Sequence, residues 1–378
     1  MSEHIDRCWT EIDLGALKHN YNIVKQSVSD DTRIMAVVKA NAYGHGAPEV
    51  ARTLEKLGAD SFAVATLDEA KELRDAGISR PILVLGYVFP DRLSEAVMIN
   101  ATLSVTSLEH AKLISDEASK FGYKVRVNIA IDTGMSRVGI RAVADDGSAF
   151  EDVIGVTSLP NLDITGIYTH FSSADSPSED SVEFTKRQAE LFSTLISKLN
   201  NVGVTFERIH CNNSAGIIAY PDSQFNTVRA GICLYGVDPL NPSNPLGFKP
   251  VMSLKTTVIS LRKISKGDFV GYSRTFKAYR DTTVATLSIG YADGVARKLS
   301  NSFYVKSPNG LLDIIGNVCM DQMMVDATDD PALKIGDTIT LFGGDSPIDI
   351  ANISGIIGTI PYEVMCNISL RVPRYYKE

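Results

Sequence analysis

The chain has no CxxC pair, no HxxxH and no HExxH. Its five cysteines (Cys8, Cys211, Cys233, Cys319, Cys366) are odd in number and scattered. That excludes a disulfide framework and a zinc ribbon, and it fits a reducing cytosol. The six histidines form no zinc motif of the structural or hydrolytic kind. No apolar run is long enough to span a bilayer. The first residues, MSEHIDRCWTEID, are polar and lack a signal-peptide core, so the sequence reads as cytoplasmic. Basic runs are missing too. With 37 Lys+Arg against 45 Asp+Glu, the net charge of -8 argues against nucleic acid as a partner. Low-complexity stretches and charge blocks are also absent. What is present is a folded, globular mix of 44% hydrophobic and 22% charged residues. The 378 residues exceed one ordinary small domain, so two domains are expected.

From about residue 34 to 235 one rhythm repeats. A short β-branched run is followed by a charged segment of helical period. The runs are IMAVVK (34–39), SFAVA (61–65), ILVLG (82–86), TLSVT (102–106), VRVNIAI (125–131), ITGIYTHF (164–171), FERIHC (206–211) and NTVRAG (226–231). They are apolar along their length and do not alternate, as strands covered on both faces should be. Eight β/α units read as a closed (β/α)8 barrel of the TIM type more readily than as an open sheet. The amphipathic stretch DLGALKHNYNIVKQSV before the first unit is expected to pack outside the barrel. At PLNPSNPLGFKP (239–250), rich in Pro and Asn, the pattern changes. Beyond it lie TTVISLRKI, TVATLSIGYA, SFYVKS, LLDIIGNV, MMVDA and TITLFG, with one helical insert at DIANISGIIG. The expected division is a barrel over 1–240 and a predominantly β C-terminal domain over 241–378.

In such a barrel, reactive groups stand on the loops at the C-terminal ends of the strands. Lys39 ends the first run, Arg137 lies just past the fifth in DTGMSRVG, His170 ends the sixth, Ser214 follows the seventh, and Arg229 and Gly231 close the eighth. The unusual polar groups therefore share one rim. Lys39 ends an apolar strand, where an amine is costly unless neutral or paired. It reads either as a snorkelling strand-end lysine or as a Schiff-base lysine reacting with a carbonyl. Tyr43, Gly44, His45 and Gly46 follow it in a tight loop. Asn212, Asn213, Ser214, Gly216, Gly231 and Ile232 occupy the loops that seat phosphate in many barrels; taken alone, Asn213 and Ser214 equally suit plain N-capping. A reactive lysine and a phosphate seat on one rim point jointly to pyridoxal 5'-phosphate. His170 reads equally as a satisfied core histidine. Nothing in propensity singles out Tyr272, Tyr291, Met320 or Tyr362 in the β-rich half, where tyrosines usually pack.

Nine ordered segments carry a resemblance: AVVKANAYGHG, DTGMSRVGI, GIYTHFSSAD, HCNNSAG, VRAGICLYG, GYSRTF, SIGYADG, CMDQ and TIPYEV. Over its whole length the chain resembles the alanine racemases, pyridoxal-phosphate isomerases with a barrel and a β domain. The resemblance implies interconversion of L-alanine and D-alanine for cell-wall peptidoglycan by two bases. It implies head-to-tail homodimers whose sites are completed by the partner's β domain. Lys39 would hold the cofactor and serve one face of the substrate Cα, and Tyr272 from the other subunit would serve the opposite face. Tyr43, Ser214, Gly231, Ile232 and Tyr362 would bind the phosphate, and Arg229 the pyridine nitrogen. Arg137 and the N–H of Met320 would hold the substrate carboxylate. His170 would support Arg229 and Tyr272, and Tyr291 would narrow the entrance. A free tyrosine has a pKa near ~10, so Tyr272 needs nearby cations, which Arg137 and His170 would supply.

One position departs from the pattern. Many of these racemases have a carbamylated lysine where this chain has Ala130, and it orients the arginine corresponding to Arg137. Ala130 forms no carbamate, so an anion such as chloride or a polar neighbour such as Asn128 is expected to take its place. A racemase of broader specificity, acting on serine or lysine, is the alternative reading, with Tyr362 favouring a small substrate. A pyridoxal-phosphate carrier on the same barrel would lack the β domain and Tyr272, and a related decarboxylase fits the spacing less well.

Overall fold

The computed structural model describes residues 6–122, 124–144, 147–241 and 244–378. Pro242 and Ser243 of the expected linker, and the first five residues of the N-terminal stretch, lie outside them. In chain order the strands of the first half are β1 (Cys8–Asp13), β2 (Arg33–Val37), β3 (Ser61–Val64), β4 (Ile82–Val84), β5 (Ala101–Val105), β6 (Val125–Asp132), the two-residue β7 (Ile140–Arg141), β8 (Leu162–Tyr168), β9 (Arg208–His210) and β10 (Thr227–Ala230). Eight of these pair in parallel in the order β10-β2-β3-β4-β5-β6-β8-β9. Between β9 and β10 the ring is closed by Arg229 N–H donating to the Asn212 carbonyl at 2.9 Å and Ile209 N–H donating to Asn226 Oδ1 at 2.8 Å. Each of the eight expected runs is one of these strands. The physical reason is double coverage: β3, β4, β5 and β10 are buried at every residue, between the barrel interior and the surrounding helices. The helices carry their own signals, as in Leu67–Asp75, where Thr66 and Glu69 form a capping box.

The second half contains β11 (Met252–Ile264), β12 (Phe269–Val270), β13 (Phe276–Lys277), β14 (Thr282–Leu287), β15 (Tyr304–Lys306), β16 (Leu311–Asp313), β17 (Met323–Asp326), β18 (Thr338–Phe342) and β19 (Arg374–Lys377). β11 organises it, pairing antiparallel with β1, β14 and β18. The helical insert appears as Ile350–Ile357. β1 departs from the expected boundary at residue 240. It precedes the barrel in sequence yet lies in the second sheet, between β11 and β19. Its sequence, CWTEID, alternates buried and half-buried positions, the pattern of a strand covered on one face only. The helix that follows, Leu14–Gln26, buries Ala16, Leu17, Asn20, Tyr21 and Val24. Among the described residues no helix is long and apolar enough to cross a membrane, and the five cysteines are free thiols.

Candidate active site

A cavity of about 490 Å3 opens at the C-terminal ends of the barrel strands. Its lining includes Lys39, Tyr43, Arg137, His170, Ser214, Arg229, Gly231, Ile232 and Tyr362. Lys39 enters from the end of β2, where the chain turns in an unusual way. Ala40, Asn41, Ala42 and Tyr43 all have positive φ, between 50° and 54°, making a left-handed turn of four non-glycine residues. Such a conformation costs L-residues roughly 1–2 kcal/mol each, so it persists only if held from outside. Glu69 holds its start, accepting the Ala40 N–H at 2.7 Å while also accepting the N–H groups of Ala65 and Thr66. His45 holds its end, with Nδ1 at 2.9 Å from the Ala42 carbonyl and 3.0 Å from the Tyr43 carbonyl. Facing two acceptors, Nδ1 must carry the proton, which leaves Nε2 bare and unpartnered inside the protein. Behind the turn, Gly44 lies so close to the Met365 carbonyl that a Cβ there would sit 2.3 Å from it. The result is an amine at the cavity floor whose pKa is lowered, first by burial and then by the Arg137 cation.

Opposite Lys39 is a cradle of small donors. Asn213 caps the helix Ser214–Ala219 through a bond from the Gly216 N–H, and Ser214 Oγ instead accepts from the Gly231 N–H at 2.9 Å. A Cβ on Gly231 would stand 2.9 Å from the Tyr43 hydroxyl and 3.6 Å from Ser214 Oγ, so a side chain there would fill the cradle. Tyr362 closes it from the helix Pro361–Cys366, its ring 5.9 Å from that of Tyr43.

Arg229 is buried with no carboxylate partner. Its Nη1 bonds to His210 Nδ1 at 2.6 Å and to the His210 carbonyl. Its Nη2 bonds to His170 Nδ1 at 3.0 Å and to the carbonyls of Thr169 and Cys211. The Nε–H alone has no acceptor among the described residues. Arginine donates only, so both histidine Nδ1 atoms accept, and both rings are neutral. Burial and the arginine charge push their pKa values well below the ordinary value, and burial lowers Arg229 itself to about 10. His170 therefore supplies no cation to Tyr272, contrary to expectation. His210 escaped the sequence reading, although it ends β9 and meets the same arginine as His170. An amine, a cradle of N–H and hydroxyl donors, and one free Nε–H suit a ligand with an aldehyde, a phosphate and a ring nitrogen.

Arg137 stands on the loop after β6 and makes no hydrogen bond or ion pair among the described residues. Asp132, also missed from sequence, shapes that loop: its Oδ1 accepts from the N–H groups of Gly134 and Ser136, both at 2.9 Å. Ala130 lines the cavity as a bare methyl group. Asn128 does not take its place, because its Oδ1 accepts from the Thr165 hydroxyl at 2.9 Å and its amide lies against His210. Three expected site residues are not brought here within the chain. Tyr272, Tyr291 and Met320 lie on the outer face of the second half, 71%, 43% and 53% exposed.

Four neutral histidines held inside the protein, His45, His110, His170 and His210, give a pH dependence of stability, His110 also being lowered by burial. His45 is lowered by burial to about 4, and His170 and His210 are lowered well below 6.5. Below pH 6.5 the unfolded chain takes up protons that the folded chain refuses, so stability falls as pH falls. His45 alone accounts for roughly 3 kcal/mol between pH 6.5 and 4. The melting temperature of cofactor-free protein is expected to drop steadily across that window, and a flat profile would refute the neutral assignment.

Residues 12–239 match the family model described as "Alanine racemase, N-terminal domain", and residues 251–376 match "Alanine racemase, C-terminal domain". The chain is 39% identical over 370 residues to the alanine racemase of Desulforamulus reducens, covering 97% of this chain and 98% of that one. Among solved structures it is similar to the alanine racemase of Clostridium difficile 630, with a TM-score of 0.93, 37% identity, and coverage of 100% of this chain and 97% of that one. It is also similar to the alanine racemase of Bacillus anthracis with bound L-Ala-P, with a TM-score of 0.91, 34% identity, and coverage of 100% and 96%.

Proposed function

The chain belongs to the alanine racemase family and is an isomerase; from that premise we propose that it interconverts L-alanine and D-alanine on pyridoxal 5'-phosphate with one base on each face of the substrate. The observation that carries the reading is the shared rim: the Lys39 amine, the Gly231 cradle and the free Nε–H of Arg229 line one cavity. In this reading the chain divides near residue 240, its product serves cell-wall peptidoglycan, and it works in the cytoplasm.

Pyridoxal phosphate, when bound, supplies the electron sink that acidifies the substrate Cα–H. The chain supplies the rest. Lys39 holds the cofactor through its amine and exchanges a proton with one face of Cα. Its lowered pKa supports this, since a neutral amine is both nucleophile and base. The phosphate would be held by the hydroxyls of Tyr43, Ser214 and Tyr362 and by the Ile232 N–H, with Gly231, whose own N–H donates to Ser214 Oγ, leaving the room for it. Arg229 presents Nε–H to the pyridine nitrogen. An arginine does not give up that proton, so Arg229 would leave the ring nitrogen unprotonated and the electron sink weaker. That weaker sink would favour return of the proton to Cα over transamination. Arg137 and the Met320 N–H hold the carboxylate, Tyr291 narrows the entrance, and Tyr272 serves the far face.

Tyr272, Tyr291 and Met320 must then come from a second copy, which supports a homodimer with shared sites. The outward placement of all three agrees with that. A coupled assay for D-alanine across a panel of amino acids tests the function. Turnover of alanine well above serine and lysine is expected; preference for either of the latter would favour the broader racemase.

Ala130 leads to a prediction about carbon dioxide. A methyl group forms no carbamate, and Asp132 already fixes the Arg137 loop through two backbone N–H groups. Activity is expected to stay constant when bicarbonate is titrated into carbon dioxide-free buffer. A rise on adding bicarbonate would contradict it.

A further inference from the structure

Tyr272 sits at the tip of the β12–β13 hairpin, and its hydroxyl has no hydrogen-bond partner among the described residues. The backbone under it is strained at two non-glycine residues, with φ of 59° at Ser273 and 53° at Arg274, next to Gly271 at 74°. Two asparagines grip this tip. Asn317 Nδ2 donates to the Tyr272 carbonyl at 2.8 Å. Asn301 Nδ2 donates to Thr275 Oγ1 at 3.1 Å, while its Oδ1 accepts the Gly316 N–H at 2.6 Å. The backbones also touch: a Cβ on Gly271 would stand 3.3 Å from the Asn317 nitrogen.

The segment that grips the tip continues directly to Met320. That stretch is fixed separately, with Tyr291 N–H donating to the Cys319 carbonyl at 2.9 Å and Ala292 N–H donating to the Met320 carbonyl at 3.0 Å. Asn317 thus links the side chain read as a base to the N–H read as a carboxylate donor, across one short piece of backbone.

We propose that Asn317 is a positioning residue for proton transfer by Tyr272, setting where the phenol stands relative to the Met320 N–H. The inference rests on the two-base reading. Proton transfer requires hydrogen-bond reach, and a misplacement of about 1 Å lowers a rate by roughly 10²-fold. The bonds that fix Met320 do not involve the Asn317 side chain, so substrate binding should survive its loss.

The test is Asn317→Leu, which keeps much of the side-chain volume and removes the donor, run beside Tyr272→Phe. Deuterium exchange at Cα is measured separately from L-alanine and D-alanine. Exchange initiated from the enantiomer whose exchange Tyr272→Phe lowers is expected to fall roughly 10–100-fold in Asn317→Leu as well, with the opposite direction and KM within about 3-fold. In cofactor-free protein, amide exchange of the 269–277 peptide is expected to accelerate by about 10-fold. Should Asn317→Leu not fold, Thr275→Val removes the hydroxyl that Asn301 Nδ2 bonds while leaving the Asn301 bond to Gly316 in place, and should give a smaller loss in the same direction. Equal losses in both directions, or none, alongside a directional loss in Tyr272→Phe, would overturn the role of Asn317 and leave the two-base reading intact. A Tyr272→Phe variant without directional loss would remove that reading and this inference together.

Discussion

Lys39→Ala is expected to lower racemisation by on the order of 10⁴-fold or more, because it removes a covalent anchor and a base together. The loss should not reflect collapse of the site. Glu69 and His45 hold the left-handed turn through backbone groups, and neither bonds to the lysine side chain. The variant should therefore fold with an unchanged melting temperature in cofactor-free form. Purified wild-type protein should be yellow, and borohydride should fix the colour to the peptide containing Lys39. A label on any other peptide would overturn the assignment, whatever the activity of the variant.

The second large effect is a recovery. Lys39→Ala and Tyr272→Ala should each be inactive alone. Mixed and allowed to exchange subunits, they should regain about a quarter of wild-type activity: half of the dimers are mixed, and each mixed dimer has one site of two with both residues intact. The expectation follows from the placement of Tyr272 on the outer face of its own chain, away from the cavity that contains Lys39. No recovery, with subunit exchange confirmed independently, would contradict the shared site.

The barrel was legible because a strand buried on both faces has no polar alternation, a pattern that survives without neighbours. The rim residues were legible for a related reason: a charged group at the end of an apolar strand is an anomaly. His210 carried no such anomaly, because it is neutral and lies near the end of a run, FERIHC, that already contains Glu207 and Arg208. Asp132 and Glu69 left no such mark. They act through backbone N–H groups, and an acidic residue in a loop or a first helical turn is ordinary. The strand CWTEID alternates visibly, but alternation says only that one face is covered, not by what. Tyr272 and Met320 lie on turns of no unusual composition, so only the resemblance singled them out. Asn317 was invisible for the same reason, its contact being to a carbonyl 45 residues away.

β1 also bears on the order in which the protein can be completed. Cys8–Asp13 leaves the ribosome before every barrel strand, but its antiparallel partner β11 begins only at Met252. At about 5–20 residues per second, the partner arrives roughly ten to fifty seconds later. During that interval all eight barrel strands are synthesised while β1 waits with unsatisfied backbone edges. The barrel can close early, whereas the second sheet is sealed only when β19 reaches its place beside β1. A barrel excised together with β1 would carry that exposed edge permanently, so a cut for separate expression belongs after Asp13 rather than before Cys8.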